Sequence, residues 1–403
     1  MDSVRRSESV AAVSLSGPDL TSAELEAVAD VLKTDSLSLG PWLEKFEGRF
    51  ADFVGAKHAV GVSSGTAGLH LGVVASGVGA GDLVITTPFS FIASANAILY
   101  ERATPIFVDV DEKTGCVDPD LVAQAAEDLM SGGERAGRWL PPAMRDMDPS
   151  SMTLKAILPV HVFGHSAFMD KLMNVASRWG LFVIEDACEA VGTRWMNRPV
   201  GSYGDASVFS FYPNKQMTTG EGGILVTDRD EWARLFRSLR NQGREPGHGW
   251  LEHQRLGYNY RLDEMSAALG VVQLGRIGDI LRKRAQVAAW YTARLAGVSG
   301  LETPFIAPSI SRMSWFVYVV RVHPAEQRGL LMKALEESGI PFRIYFPPIH
   351  LQPLYVERFA YQLGDFPVAE NWGDSCLALP FSGVMTEDQV DFVCKHIIQA
   401  LVK

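Results

Sequence analysis

The sequence predicts an α/β protein: a large domain built on a mostly parallel sheet, followed by a smaller C-terminal α+β domain. Three observations carry this reading. Short β-branched apolar runs alternate with helical patterns up to about residue 230, as in a sheet covered on both faces. A long helical pattern then runs from Asp263 to about Ala296, and strands and helices mix beyond it. The 403 residues are 47% hydrophobic and 21% charged, enough for a large core and a length that suits two domains. We place the large domain, with the N-terminal segment, at 1–275 and the small one at 276–403.

The elements follow in order. TSAELEAVADVLK is the first strong helix: Thr21 and Glu24 have capping-box spacing, and Leu25, Val28 and Leu32 form an apolar stripe. KHAVGVSS reads as a strand, TAGLHLGVVAS as a helix, DLVITT as a strand and SFIASANAILY as a helix. ATPIFVDV, LKAILPV, GLFVIED, ASVFSF and GGILVTD are further strands, and MDKLMNVASRW is a helix between two of them. The pattern from Asp263 to about Ala296 reads as one long helix with glycines at which it can kink. SWFVYVVRV, a helix near LLMKALEES, IPFRIYF and a C-terminal helix sketch the small domain. Residues 129–153, LMSGGERAGRWLPPAMRDMDPSSMT, lack a clean period and read as a long mobile loop or flap.

Bulk properties narrow the function. A net charge of −10 argues against nucleic acid or an anionic membrane as partner. The four cysteines, at 116, 188, 376 and 394, form no CxxC pair and no zinc spacing, which suits a reducing compartment. MDSVRRSESVAAVSLSG reads as a frayed tail rather than a signal peptide. No stretch approaches the ~18 apolar residues of a membrane span. A soluble cytoplasmic protein is the expectation.

FSFYPNKQMTTGEGG sets a single amine, Lys215, between aromatic residues and a Thr/Gly cluster. A free lysine titrates at about 10.4, so at neutral pH few are nucleophilic. Desolvation changes that, and imine formation with an aldehyde is the usual use of such a setting. A plain pairing with Glu221 or a phosphate is the competing reading. GLFVIEDACEAVG ends a strand at Glu185 and Asp186, where open α/β sheets bind ligands. Asp186 could hold a protonated ring nitrogen; it could also bind magnesium or cap a helix. In VGVSSGTAGLHL a strand ends at Ser63 and Ser64, Gly65 turns the chain and Thr66 opens a helix. That makes an anion site, or capping alone.

Two motifs are set aside. GVGAG follows a helix and precedes a strand, the reverse of a dinucleotide-binding loop, and no GxxxxGK followed by Ser or Thr occurs. In HVFGHSA, Gly164 and the preceding strand deny His161 and His165 a common helical face, so no metal is expected. The remaining pieces fit one ligand, pyridoxal 5′-phosphate. Lysine takes the aldehyde, aspartate the ring nitrogen, a helix N-terminus the phosphate and an aromatic residue the ring face. Their order along the chain suits fold-type I, the aspartate aminotransferase-like architecture.

The chain resembles the nucleotide-sugar aminotransferases of the DegT/DnrJ/StrS family, nearly end to end. The resemblance runs through SLSGPDLTSAELEAV, LGPWLEKFEGRFADFVG, SSGTAGLHL, ITTPFSFIASANAI, HVFGHSAFMD, VIEDACEAVG, FSFYPNKQMTTGEGG, GYNYRLDEMSAA and PVAENWGDSCLALP. It implies that Lys215 forms the imine with the cofactor and that Asp186 pairs with the pyridinium nitrogen. It implies that Gly65, Thr66 and Ser210 bind the phosphate, and that Phe91 stacks on the ring. Asn259 would reach the phosphate from a neighbouring subunit, so a homodimer with shared active sites follows. Glu189 stands where the family often has glutamine near the phenolic oxygen; a carboxylate there must be protonated or turned away. His165, Tyr345 and His350 fall on the sugar side of the pocket.

The activity so implied is transfer of an amino group, from glutamate, to a nucleotide-linked keto-sugar, with pyridoxamine 5′-phosphate as the intermediate form of the cofactor. TTGEGG resembles members acting on 4-keto-6-deoxy sugars more than those acting at a 3-keto position. Two rivals differ in class. Relatives that dehydrate sugars would replace the lysine, commonly by histidine, and Lys215 speaks against that. A sensor of the same fold would not need Lys215, Asp186 and Ser210 together.

Overall fold

The computed structural model describes residues 12–148, 151–245, 247–249 and 251–401. The first helix, α1 (Ser22–Val31), starts as expected. Thr21 Oγ1 accepts from Ala23 N at 3.3 Å, and Glu24 reaches back to accept from Thr21 N at 2.7 Å. Its expected apolar stripe does not face the core: Leu25 and Leu32 are 73% and 63% exposed, while Glu24, Ala27 and Val31 are buried. Next, α2 (Pro41–Val54) opens on a proline and ends at Gly55 with φ +78°. The free N–H groups at its start donate to the buried Glu264 carboxylate, from Gly40, Trp42 and Leu43 at 2.8–3.0 Å.

The chain then runs β1 (His58–Val62), α3 (Gly65–Ala75), β2 (Asp82–Thr86), α4 (Ala93–Tyr100), β3 (Thr104–Phe107), α5 (Pro119–Ser131) and the short α6 (Gly133–Gly137). There follow β4 (Thr153–Ile157), α7 (Met169–Trp179), β5 (Phe182–Asp186), the hairpin β6 (Arg194–Trp195) and β7 (Arg198–Pro199), β8 (Ala206–Ser210), β9 (Gly223–Thr227) and α8 (Asp230–Arg240). The main sheet has the order β1-β9-β8-β5-β4-β2-β3. Only β9 runs against the rest, antiparallel to both β1 and β8; the other pairings are parallel. The strand interiors are buried, as a sheet with helices on both faces requires. All the parallel strands therefore end on one edge, where β9 begins.

Three expectations change here. Of residues 129–153, positions 149–150 lie outside the described residues and 145–148 are exposed, but 129–131 end α5, 133–137 form α6, Leu140 is buried and Trp139 Nε1 donates to Asp128 Oδ2 at 2.9 Å. The long helical pattern is two helices, α9 (Glu264–Gly275) and α10 (Ile277–Leu295), broken at Arg276. Gly275 holds a helix poorly, and the Arg276 side chain is drawn off to Asp19 and Glu24. The tail is only partly outside the described residues: positions 1–11 are, but Val13 packs on the C-terminal core and Phe381 N donates to Leu15 O at 2.8 Å.

The C-terminal part contains β10 (Leu301–Glu302), β11 (Ile310–Arg312), β12 (Tyr318–Val322), α11 (Glu326–Glu337), α12 (Pro353–Phe359), α13 (Pro367–Ser375), β13 (Cys376–Leu379) and α14 (Glu387–Leu401). IPFRIYF forms no strand. Within it only Arg343 bridges, to Ala378, and β12 pairs instead with β10 and β13. A second core, separate from the one around the main sheet, gathers Val287, Tyr291, Tyr318, Leu331 and Val393.

Candidate active site

A cavity of about 420 Å³ opens at the edge where the parallel strands end. Ser64, Gly65 and Thr66 line it from the end of β1, Asp186 from β5, Ser210 from β8 and Phe91 from the turn after β2. Lys215, Glu189, Tyr345 and Phe316 complete its walls. Open α/β sheets bind ligands on this edge because the loops there are free to diverge.

Lys215 is set by the chain around it. Phe211 continues β8 into the core, where Phe46 and Phe50 of α2 pack on it at 5.4 and 5.5 Å between ring centres. The Thr/Gly stretch then folds back along it. Phe211 N donates to Gly222 O at 3.0 Å, while Thr219 N and Thr218 Oγ1 both donate to Phe211 O. The lysine is thus held in a closed turn, with Lys215 N donating to Tyr212 O at 2.9 Å. Gly223 allows the close approach: a Cβ there would lie 2.6 Å from the backbone of Ser64. The amine and the α3 N-terminus are brought together by that contact.

The carboxylate facing Lys215 is Glu189, not Glu221. Nζ donates to Glu189 Oε1 at 3.4 Å, and Phe163 N donates to Oε2 at 2.9 Å. Burial pushes the Glu189 carboxyl above its ordinary range, and the nearby Lys215 ammonium offsets only part of this. Asp186 is 5% exposed, and both its oxygens are oriented. Oδ1 accepts from Cys188 N at 3.1 Å, and Oδ2 accepts from Ser94 Oγ at 2.7 Å. A turn rather than a helix follows it, so it is not a helix cap.

At the α3 N-terminus Ser64 Oγ accepts from Ala67 N at 3.1 Å. The N–H groups of Gly65 and Thr66 come earlier in the first turn and have no partner within the helix. A Cβ on Gly65 would come within 2.8 Å of Cys188 Sγ and 2.9 Å of Ser210 Cβ, so glycine keeps this cup open. Burial and the Asp186 charge push the Cys188 thiol well up, leaving it an uncharged wall. Asn214 Oδ1 is buried at the cavity without a hydrogen-bond partner among the described residues.

These groups fit a phosphorylated pyridine aldehyde. An amine, a carboxylate that can accept from a ring N–H, an anion cup with a hydroxyl beside it and an aromatic face meet in one cavity.

The remaining expected residues fall elsewhere. His165 is buried away from the cavity, with Nδ1 on Ser166 O at 2.8 Å and Nε2 accepting from Ala307 N at 3.2 Å. Burial pushes it down to about 4, so it is neutral. His350 is also buried outside the lining, its Nε2 on Glu370 Oε1 at 2.9 Å. Of the three residues assigned to the sugar side, only Tyr345 lines the cavity. Asn259 is exposed and does not line its own chain's cavity; its backbone bridges to Asn241. Sequence reasoning missed Ser94, Asn214 and Phe316. Ser94 lies in a motif already singled out, but nothing local pairs it with an aspartate 92 residues away.

Comparison with known proteins finds similar chains over nearly the whole length. The model of the DegT/DnrJ/EryC1/StrS aminotransferase family matches residues 18–398. GDP-perosamine synthase of Caulobacter vibrioides is 36% identical, over 97% of this chain and 98% of its own. The dTDP-3-amino-3,4,6-trideoxy-alpha-D-glucose transaminase of Streptomyces venezuelae is 36% identical, over 88% of this chain and 86% of its own. Among solved structures, S. venezuelae DesV in complex with a ketimine intermediate superposes with a TM-score of 0.84 at 33% identity, covering 97% of this chain and 99% of that one.

Proposed function

The chain belongs to the DegT/DnrJ/EryC1/StrS aminotransferase family, and from that premise we propose that it transfers an amino group from glutamate to a nucleotide-linked keto-sugar. A 4-keto-6-deoxy sugar is the substrate this reading favours, from the likeness of TTGEGG to members that use such sugars. The observation that supports the reaction best is the meeting of Lys215, Asp186, the Gly65–Thr66 cup and Ser210 in one cavity.

Pyridoxal 5′-phosphate would be held by Lys215 at its aldehyde, Asp186 at its ring nitrogen, Gly65, Thr66 and Ser210 at its phosphate and Phe91 at its ring face. When bound it supplies an electron sink for the pair left at the substrate carbon. Asp186 would hold the ring nitrogen charged, and Ser94 Oγ and Cys188 N orient its carboxylate. Lys215 Nζ, once displaced by the donor, would act as the base that takes the proton from the donor's α-carbon. In the second half-reaction the same amine would deliver a proton to the sugar carbon that comes to bear the new amino group. Glu189 sits against Nζ, with its Oε1 3.4 Å from the amine, and burial pushes its carboxyl above the ordinary range. Asn259 would complete the phosphate site of a second copy, making a homodimer with shared sites.

The test uses purified protein loaded with pyridoxal phosphate, glutamate as donor, and nucleotide-linked 4-keto and 3-keto sugars in parallel. Aminosugar and 2-oxoglutarate should form in equal amounts with the 4-keto substrate. Faster turnover of the 3-keto sugar would overturn the choice of carbon, and release of ammonia without aminosugar would overturn amino transfer.

A further inference from the structure

We propose that Phe316 is a positioning residue for Lys215, its ring forming the seat that holds the amine in the cavity, and that Arg284 and Ser314 pin this seat in place. The proposal rests on the reading of Lys215 as the reacting amine.

Lys215 Nζ lies 3.9 Å from the centroid of the Phe316 ring. Its other close partner is Glu189, on a different wall of the cavity. A lysine side chain is long and loses much rotamer freedom when fixed, so an amine that must meet a carbon atom repeatedly gains from a fixed resting place. The ring supplies one, attracting the cation through its face.

The backbone beneath the ring is unusual. Trp315 has φ +55°, a region bulky residues rarely occupy and that tends to persist only where surroundings enforce it. Arg284 of α10 enforces it from one side: Nε donates to Trp315 O at 2.8 Å and Nη2 to Phe316 O at 2.7 Å. Arg284 is 3% exposed and makes no ion pair among the described residues. Burying a cation against two carbonyls is costly for ordinary packing, and the carbonyls it holds flank the cavity wall.

From the other side, Ser314 N donates to Thr193 Oγ1 at 3.2 Å, and Ser314 Oγ accepts from Gln216 Nε2 at 2.9 Å. Gln216 follows Lys215 and also donates to Glu189 O at 2.5 Å. The turn carrying the amine and the segment carrying the ring are thus tied directly to each other.

The experiment follows capture of pyridoxal phosphate by the cofactor-free protein at one fixed pH. Borohydride quenches the reaction at set times, and peptide mass spectrometry reads the tag on Lys215. Phe316→Leu should slow capture about tenfold, the scale of loss expected when the reacting amine is no longer held in one place. Phe316→Tyr, which keeps the ring, should capture within about twofold of wild type. Arg284→Met should slow capture as well, because the ring remains but its anchor is gone. In steady-state turnover Phe316→Leu should lower kcat and leave the KM for glutamate unchanged. Capture by Phe316→Leu at the wild-type rate overturns the proposal; if leucine does not fold, Phe316→Met decides in its place. A wild-type tag on any peptide without Lys215 overturns the underlying assignment, and is a different result.

Discussion

Replacing Gly65 by alanine puts a methyl carbon 2.8 Å from Cys188 Sγ and 2.9 Å from Ser210 Cβ, where ordinary contact begins at 3.4 Å. Something must retreat by about half an ångström. Ser210 Cβ is fixed by the pairing of Ser210 with Gly223 in the sheet, and Cys188 Sγ would have to leave Val208 O, which it approaches at 3.8 Å. Overpacking of this kind costs about 1–3 kcal/mol. The free protein can relieve part of it by tilting the first turn of α3, but that tilt spoils the cup in which the N–H groups of Gly65 and Thr66 converge. The cost should therefore fall on cofactor binding and weaken it about 5- to 150-fold. The assay is titration of cofactor-free protein with pyridoxal phosphate, followed by the absorbance of the bound form. Gly79→Ala is the control, since no atom lies within 4 Å of a Cβ there. An affinity for Gly65→Ala within twofold of wild type would refute the reasoning, because the clash would then have relaxed without touching the cup.

Three further outcomes are expected. Glu24 is 3% exposed, and hydrogen bonds from Thr21, Gln273 and Arg276 outweigh its burial and hold its carboxyl down at about 2. A depressed carboxyl stabilises the fold above its unfolded pKa and ceases to as pH falls from about 4.5 toward 2, so Glu24→Gln should cost at most about 3 kcal/mol at pH 7 and far less near pH 2.5 in denaturant unfolding. Ser94→Ala removes a buried hydrogen bond to the Asp186 carboxylate and should weaken cofactor binding by about one to two orders of magnitude; unchanged affinity in the same titration would show that Cys188 N alone suffices. Mixing equal amounts of Lys215→Ala and Asn259→Ala protein under exchange conditions should restore up to about a quarter of wild-type activity, since each mixed dimer keeps one intact site, and no restoration would argue that Asn259 serves only its own chain.

The parts of the site legible in the sequence are those a short segment encodes by itself. Gly65–Thr66, Asp186 and Lys215 each end a strand or follow one closely, and a parallel sheet carries strand ends to a common edge whatever their separation along the chain. The capping box at Thr21 and Glu24 is legible for the same reason: both partners lie within one turn. Phe316 and Arg284 are not, because an aromatic residue in an apolar run reads as core and its partner is 32 residues away on another element. At the break the Arg276 side chain pairs with Asp19, 257 residues away, a partner no periodicity announces; Gly275 beside it is the local signal. His165 and His350 look like pocket residues in their motifs, but each has its ring hydrogen-bonded inside the fold.

The misread face of α1 belongs to the same problem. Periodicity reports that a helix has an apolar stripe; it does not report which body covers the stripe. Leu25 and Leu32 are exposed in the single chain, as are Leu20 and Leu39 close by in sequence, and charged residues would cost nothing at positions that stay in water. Asn259 lies on the surface too, on a segment whose Tyr260 O accepts from Ser63 N beside the cup. A side chain placed there, outside its own chain's cavity, suits the proposal that it reaches the cavity of another copy. The proposed homodimer accounts for both facts at once: it covers apolar surface that the isolated chain leaves wet, and it gives Asn259 a phosphate to reach. If the protein proves monomeric at the concentrations where it turns over sugar, the exposed leucines and Asn259 need separate explanations, and the cup of Gly65, Thr66 and Ser210 must bind its phosphate alone.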